Sequence, residues 1–154
     1  MDDRRLSASV FVDRAPLAVY GLVADLSHMG DWSPECASCA WVDGTGPAVG
    51  AKFVGTNSVG GREWAVECEV VAATPGEEFA WVTSGGTGWS YTFAPSGDGT
   101  EVTETWLMPG TSQEMFLERF GDKGQAMIDE RQAAAAHGLP ATLAALKTTA
   151  ESND

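Results

Sequence analysis

The chain has 154 residues, of which 44% are hydrophobic and 20% charged, a size and composition typical of one soluble globular domain over residues 1–154. Its formal net charge of −13 argues against nucleic-acid binding, because phosphate neutralisation needs clusters of Lys and Arg that the sequence lacks. No signal-peptide pattern and no run of about 18 apolar residues occurs. We therefore expect a cytoplasmic protein without integral membrane association.

The first part of the chain is predicted to form one strand and two short helices. Residues 6–13 alternate apolar and polar side chains, as a half-buried strand does. From Pro16 to Leu26, apolar residues recur at spacings of three and four, which predicts an amphipathic helix. A second helical turn is predicted from Ser27, and it must end before Pro34, because proline disfavours helical backbone at the preceding residue.

The middle of the chain, up to Pro109, predicts six further strands. Short alternating runs are separated by Gly-rich and Pro-Gly turns, the pattern of an antiparallel meander. Beyond Pro109 the sequence is rich in helix-forming residues and predicts one long helix, interrupted at Gly121, Gly124, Gly138 and Pro140, with a kink at Pro140. The expected fold is therefore α+β, with a seven-stranded antiparallel sheet covered by a long C-terminal helix.

Cys36 and Cys39 form a Cys-x-x-Cys pair, which in other settings binds a metal or cycles between thiol and disulfide. On a strand these two residues lie on opposite faces about 10 Å apart, too far for a disulfide. The two histidines, His28 and His137, stand far from each other in the sequence and suggest no metal cluster. We expect incidental, reduced cysteines, with Cys39 facing inward, and neither a metal site nor a cofactor.

The six tryptophans are many for a chain of this length, and strand alternation places several of them on inward faces. Any one buried ring is most simply part of a packed core. The whole set, together with Asn57 and Glu104, also matches a ligand cavity, which has mostly apolar walls and a few polar anchors. Periodicity does not distinguish a core from a cavity. The candidate ligand-binding residues are Trp32, Trp41, Phe53, Trp64, Val66, Cys68, Phe79, Trp81, Trp89, Tyr91, Trp106, Met108, Phe116, Phe120 and Met127.

The elements occur together with short motifs spread over residues 6–148. These are Ala15-Pro16, Trp32-Ser33-Pro34-Glu35, the Pro75-Gly76 turn with Phe79-Ala80-Trp81, Trp89-Ser90-Tyr91-Thr92-Phe93, and Thr100-Glu101-Val102-Thr103-Glu104. In this order they resemble the START-like (SRPBCC) superfamily, and within it the bacterial polyketide cyclase/dehydrase and lipid-transport group. The resemblance implies a helix-grip fold, in which a curved sheet grips the terminal helix and leaves a hydrophobic cavity between them. It implies no single activity, because this fold hosts carriers, receptors and cyclases.

The residues favour binding or transport of a small hydrophobic molecule, such as a lipid, a polyketide or an aromatic compound, since the inward faces carry few titratable groups. The first alternative is a polyketide cyclase or dehydratase in which Glu104 is the general acid/base and Tyr91 or Asn57 orients a carbonyl or enolate. Against this alternative, Glu104 could lie near the strand end, pair with an arginine such as Arg131, or face water after a bulge.

A second alternative is a non-catalytic interaction or dimerisation module, which would show a contiguous exposed apolar patch. Phe11, Val54 and Leu107, on faces predicted to point outward, are the only hints of such a patch. We expect a monomer or a homodimer.

Overall fold

The structure, a computed structural model, describes residues 1–26, 36–42, 46–59 and 61–152. Its strands are β1 (Arg4–Val12), β2 (Cys36–Trp41), β3 (Lys52–Val59), β4 (Arg62–Thr74), β5 (Glu78–Thr83), β6 (Gly88–Ser96) and β7 (Gly99–Met108). Its helices are α1 (Pro16–Ala24), α2 (Gly110–Phe120) and α3 (Gly124–Ser152), with a 3-10 turn at Gly121–Lys123 between the last two.

The seven strands form one antiparallel sheet in the order β1-β7-β6-β5-β4-β3-β2. The predicted α+β helix-grip fold is confirmed, with a short helix between the first two strands and the long helix α3 at the C-terminal end. Side-chain alternation follows the prediction on β7, where Val102, Glu104, Trp106 and Met108 are all buried. The pairing register shifts between Cys36 and Ser38 where β2 pairs with β3, and between Val70 and Ala72 where β4 pairs with β5. Such bulges bend a strand.

Helix α3 is buried against the sheet at both of its ends. Near its C-terminal end, Leu143 and Leu146 belong to a core cluster that includes residues of α1, β5 and β6. Nearer its N-terminus, Ile128 and Leu139 pack with Trp106 in a second cluster. These two clusters hold the helix across the inward face of the sheet.

The helical region beyond Pro109 is interrupted at Gly121, one of the residues predicted to interrupt it. Gly121 adopts a positive φ of 57°, a conformation that glycine tolerates far better than other residues, and the chain breaks there into α2 and α3. Helix α3 nevertheless continues through Pro140. Both Pro140 and Ala136, whose carbonyl would otherwise accept a hydrogen bond from position 140, are exposed, so water can satisfy that carbonyl.

Two of the predictions lie outside the described residues. They are the second short helix from Ser27 and the placement of Trp32 in the cavity. Among the described residues, the search for a helix with the length and apolarity needed to cross a bilayer finds none.

Candidate functional site

A cavity of about 1600 Å³ lies between the inward face of the sheet and helices α2 and α3. The sheet side of its wall carries six aromatic rings, because alternation on five strands points them toward the helices, and the first of these helices adds two more. The aromatic lining residues are Phe53, Trp64, Trp81, Trp89, Tyr91, Trp106, Phe116 and Phe120. A concave site between the aromatic rings of a sheet and a helix is the kind that takes small molecules.

Most of the candidate residues from the sequence meet at this cavity. Besides the eight aromatic residues, Asn57, Val66, Cys68, Glu104 and Met127 line it. The structure places three candidates in the packed core instead. Trp41 packs edge-on against Phe53, with ring centroids 5.6 Å apart. Phe79 is fully buried and forms an edge contact with Tyr20 of α1.

Met108, the third of these candidates, is buried with Ile128 and Leu139 in the second core cluster. Alternation assigns the face of a strand correctly, but it does not reveal which stretch of that face a helix closes. Trp41, Phe79 and Met108 therefore lie on the predicted inward face, but at positions along their strands where the face is packed rather than open to the cavity.

The inner wall is built from rings in mutual contact. Trp81 packs edge-on against Phe53 at 5.8 Å and is stacked with Tyr91 at 6.0 Å, both measured between ring centroids. Tyr91 in turn stacks on Phe93 at 6.4 Å. These contacts restrict the rotamer of Tyr91 and therefore the position of its hydroxyl group.

Glu104 is the polar centre of the cavity. It lies in the middle of β7, directly opposite Tyr91 of β6, and only 3% of the residue is exposed. The Tyr91 side chain forms a hydrogen bond with its carboxyl group. The carboxyl oxygen Oε1 has no hydrogen-bond partner among the described residues.

Burial raises the pKa of Glu104 to about 8, although the Tyr91 hydrogen bond acts in the opposite direction. At neutral pH the group is therefore mainly a carboxylic acid, which can both donate and accept a hydrogen bond. The alternative in which Glu104 faces water is wrong, since the residue is buried. The suggested pairing with Arg131 is not seen either: Arg131 contacts the rings of Trp64 and Phe116.

The sequence analysis missed most of the helix side of the cavity. Apart from Met127, the α3 residues that line it include Arg131, Ala134, Gly138 and Thr142, at successive spacings of three, four and four. That spacing is helical, but the residues are small or polar and so form no apolar stripe. Their small size leaves the space that a row of leucines would fill.

Gly55 of β3 was also missed. A Cβ atom at this position would lie 3.4 Å from Sγ of Cys39, which lines the cavity although the sequence analysis placed it only on an inward face. Cys39 and Cys68 are both thiols. Within the described part of the chain, the search for groups of His, Cys, Asp or Glu that could hold a metal ion finds none.

The long helix gripped by an antiparallel sheet, with an aromatic cavity between them, defines a class of proteins with a ligand-binding fold. The family model described as "Polyketide cyclase / dehydrase and lipid transport" matches residues 3–151. The chain belongs to this family, and the family predicted from the sequence motifs is confirmed. A search of curated protein sequences finds no significant match.

Solved structures agree with this assignment. The Polyketide_cyc-like protein Cgl2372 from Corynebacterium glutamicum is 36% identical, with a TM-score of 0.70 over 96% of this chain and 91% of that chain. The di-domain ARO/CYC StfQ from the steffimycin biosynthetic pathway is 14% identical, with a TM-score of 0.74 over 97% of this chain and 51% of that chain. Protein MLL2253 from Mesorhizobium loti is 15% identical, with a TM-score of 0.70 over 98% of this chain and 99% of that one. The last two likenesses show the fold alone, and this chain spans about half of the di-domain protein.

Proposed function

We propose that the protein binds a small, largely apolar or aromatic molecule in the cavity between the sheet and α3. The observation that carries the proposal is Glu104, a buried carboxyl group with an unpartnered oxygen in an aromatic cavity. A buried polar atom without a partner costs about 1–3 kcal/mol, and a ligand that supplies the partner recovers that cost. The ligand of this proposal therefore has an apolar body and a carbonyl or hydroxyl oxygen that reaches Glu104.

The neutral form of Glu104 suits this task. A carboxylic acid donates its O–H to a carbonyl oxygen, whereas a carboxylate would only accept. Tyr91, which is stacked on Trp81, forms a hydrogen bond with the Glu104 carboxyl group and so restricts the orientation in which Glu104 presents its O–H to a ligand. The surrounding rings contribute about 25 cal/mol for each Å² of ligand surface that they remove from water.

The proposal is tested by native mass spectrometry of the purified protein, which should reveal a co-purified ligand, and by titration with 1-acetylpyrene, a neutral aromatic ketone. Energy transfer from tryptophan to pyrene reports binding. Ala134 lines the cavity, whereas Ala133, its neighbour on α3, is exposed and does not line it. We expect Ala134→Trp to weaken 1-acetylpyrene binding about tenfold or more by filling the site, while Ala133→Trp leaves it unchanged. An empty protein with no saturable binding, or equal binding by the two variants, would refute the proposal.

The same carboxyl group favours a second candidate function, acid/base catalysis on a carbonyl compound. Similar structures include di-domain ARO/CYC proteins from biosynthetic pathways, although they share only 14% and 16% identity with this chain. In a dehydration, Glu104 would give its proton to the departing hydroxyl group of a β-hydroxyketone, and water would leave. The resulting carboxylate would then take the proton from the carbon next to the carbonyl, which gives an enone and restores the acid. A pKa of about 8 suits both steps near neutral pH.

This second function is tested with 4-hydroxy-4-phenyl-2-butanone, whose dehydration product absorbs in the near ultraviolet. Glu104→Gln should abolish turnover while it leaves the binding of 1-acetylpyrene nearly intact. Turnover by the glutamine variant at the wild-type rate would remove Glu104 from the mechanism. Binding without any turnover by the wild-type protein would favour the carrier.

A further inference from the structure

Two arginines line the cavity on its helix side, Arg119 of α2 and Arg131 of α3. Both are exposed, so they lie where the cavity meets solvent. Their position stands out in a protein with a net charge of −13, because most of its surface repels anions.

Aromatic rings hold both guanidinium groups. The Cζ atom of Arg131 is 6.0 Å from the ring centroid of Trp64 on β4 and 5.8 Å from that of Phe116 on α2. It therefore bridges the sheet and α2 beside the cavity. The Cζ atom of Arg119 lies 5.3 Å from the ring centroid of Phe120. A cation–π contact of this kind is worth about 0.5–1 kcal/mol at an exposed site and orients the group.

Within the described ranges, neither arginine forms an ion pair with a carboxylate. By contrast, Arg4 is paired with Asp129 at 2.9 Å and Lys147 with Glu151 at 2.7 Å. A guanidinium that rests on rings keeps N–H donors in its plane for an oxyanion, which it can bind with two parallel hydrogen bonds.

We propose that this pair of arginines binds an oxyanion on the ligand, so that the natural ligand is amphipathic: a carboxylate or phosphate at the cavity mouth and an apolar body that extends toward Glu104. This inference rests on the proposed binding function and adds the chemical class of the ligand. Arg131 is the main anion contact, because rings of two different elements fix it beside the cavity. Arg119 adds positive charge nearby.

Two carboxylates, Glu118 and Glu130, line the same side of the cavity and oppose an anion. His137 lines it as well. These charges therefore attract an anionic ligand only if the arginines, rather than the two carboxylates, are oriented toward it. Removing Glu130 must strengthen anion binding if the proposal holds, whereas removing Arg131 must weaken it.

The experiment compares 4-(1-pyrenyl)butyrate with its methyl ester, two probes that share one apolar body and differ by one charge. Tryptophan-to-pyrene energy transfer gives both dissociation constants. The wild-type protein should bind the acid more tightly than the ester. Arg131→Met should weaken binding of the acid about fivefold, the size of one charge pair at an exposed site, and change binding of the ester much less. Glu130→Gln should tighten binding of the acid alone.

Arg5 supplies the matched control, because it is exposed on β1 and does not line the cavity. Arg5→Met makes the same change in net charge and should leave the acid's affinity within about twofold, since screening limits distant charges. The inference is overturned if the wild type binds acid and ester equally, or if Arg131→Met and Arg5→Met have equal effects. The proposed function still stands in either case if the ester binds and Ala134→Trp weakens its binding. If neither probe binds, both fall. If the acid is preferred, displacement of 4-(1-pyrenyl)butyrate by laurate and by dodecyl phosphate shows whether a carboxylate or a phosphate binds more tightly.

Discussion

Tyr91 and Glu104 lie directly opposite each other on β6 and β7, and the Tyr91 hydroxyl donates a hydrogen bond to the buried Glu104 carboxyl group. The two effects on Glu104 have opposite signs, since burial disfavours the carboxylate and the hydrogen bond favours it. Burial dominates and sets the pKa at about 8. The protonation state of Glu104 therefore depends on the balance between burial and the Tyr91 hydrogen bond. A mutation of Tyr91 changes the pKa of Glu104, whereas a change of pH changes the protonated fraction at a fixed pKa.

The first prediction concerns stability against pH. The pKa of Glu104 is about 8 in the folded protein and returns to its ordinary value of 4.5 in the unfolded chain. Between these values unfolding releases a proton, so the free energy of unfolding falls by about 1.4 kcal/mol for each unit of rising pH. Below about pH 4.5 and above about pH 8 the two states carry the same charge at this site, and the slope from Glu104 vanishes.

Urea unfolding of the wild type and of Glu104→Gln across this pH range measures the effect. The difference in free energy of unfolding between the two proteins should change steadily in favour of the variant from about pH 5 to about pH 8. Glu101→Gln, an exposed change on the same strand, should follow the wild type. A difference that stays constant with pH would mean that Glu104 is already ionised in the folded protein.

The second prediction concerns the hydrogen bond itself. Tyr91→Phe removes the donor that stabilises the carboxylate, so the pKa of Glu104 should rise above its value of about 8. The measurement is a pH titration of the Glu104 side-chain carboxyl carbon by NMR, assigned by its loss in Glu104→Gln. Tyr20→Phe is the control, because Tyr20 is also buried but packs against Phe79 and Phe93. An unchanged midpoint in Tyr91→Phe would show that the hydroxyl does not reach the carboxyl group.

The sheet side of this site was predictable from sequence for a simple reason. Side chains on a strand alternate with a fixed period of two, so Trp64, Trp89, Tyr91 and Glu104 could be assigned to inward faces without knowledge of the pairing. Their meeting at one cavity follows from the order of the antiparallel strands, which brings Tyr91 opposite Glu104. The short turns between strands made that order the simplest one to expect.

The helix side was not predictable by the same means. Hydrophobic periodicity detects residues that fill space, and α3 borders the cavity with Ala134 and Gly138, which leave space. Arg131 carries a charge and was considered only as a partner of Glu104, because its contacts with Trp64 and Phe116 depend on how α2 and α3 pack. Gly121, which separates these helices, was predicted as one of four interruptions, and only the backbone conformation shows which of the four ends a helix.

A third prediction follows from the proposed function. If neutral Glu104 donates its O–H to a ligand carbonyl, the affinity for 1-acetylpyrene should stay level at neutral pH and fall once Glu104 ionises. The loss approaches tenfold per pH unit above the pKa of Glu104 in the free protein, about 8, and levels off above the pKa in the complex, which is higher because ligand binding favours the protonated form. In Glu104→Gln the amide does not titrate, so the affinity should not depend on pH in this range. The same fall in both proteins would assign the pH effect to another group.

The last prediction concerns two glycines of α3, Gly124 at its first position and Gly138 in its middle, whose surroundings differ. A Cβ atom on Gly124 would lie 2.7 Å from the carbonyl oxygen of Phe116 and 2.9 Å from Cα of Leu117, both backbone atoms of α2. A Cβ atom on Gly138 would meet nothing within 4 Å. Gly124 has an ordinary helical φ of −59°, so an effect of alanine there comes from the contact and not from backbone strain.

Gly138→Ala should stabilise the protein by about 0.5–1 kcal/mol, because alanine loses less conformational entropy than glycine in a helix. Gly124→Ala gains the same entropy but must push α2 away, and overpacking of this kind costs about 1–3 kcal/mol. Urea unfolding of the two variants should therefore give shifts of opposite sign. Because Phe116 is one of the rings beside Arg131, Gly124→Ala should also weaken binding of 4-(1-pyrenyl)butyrate more than binding of its methyl ester. Equal stabilisation by both alanines would show that α2 does not pack closely against Gly124. In that case this contact would not be what positions Phe116 at the cavity.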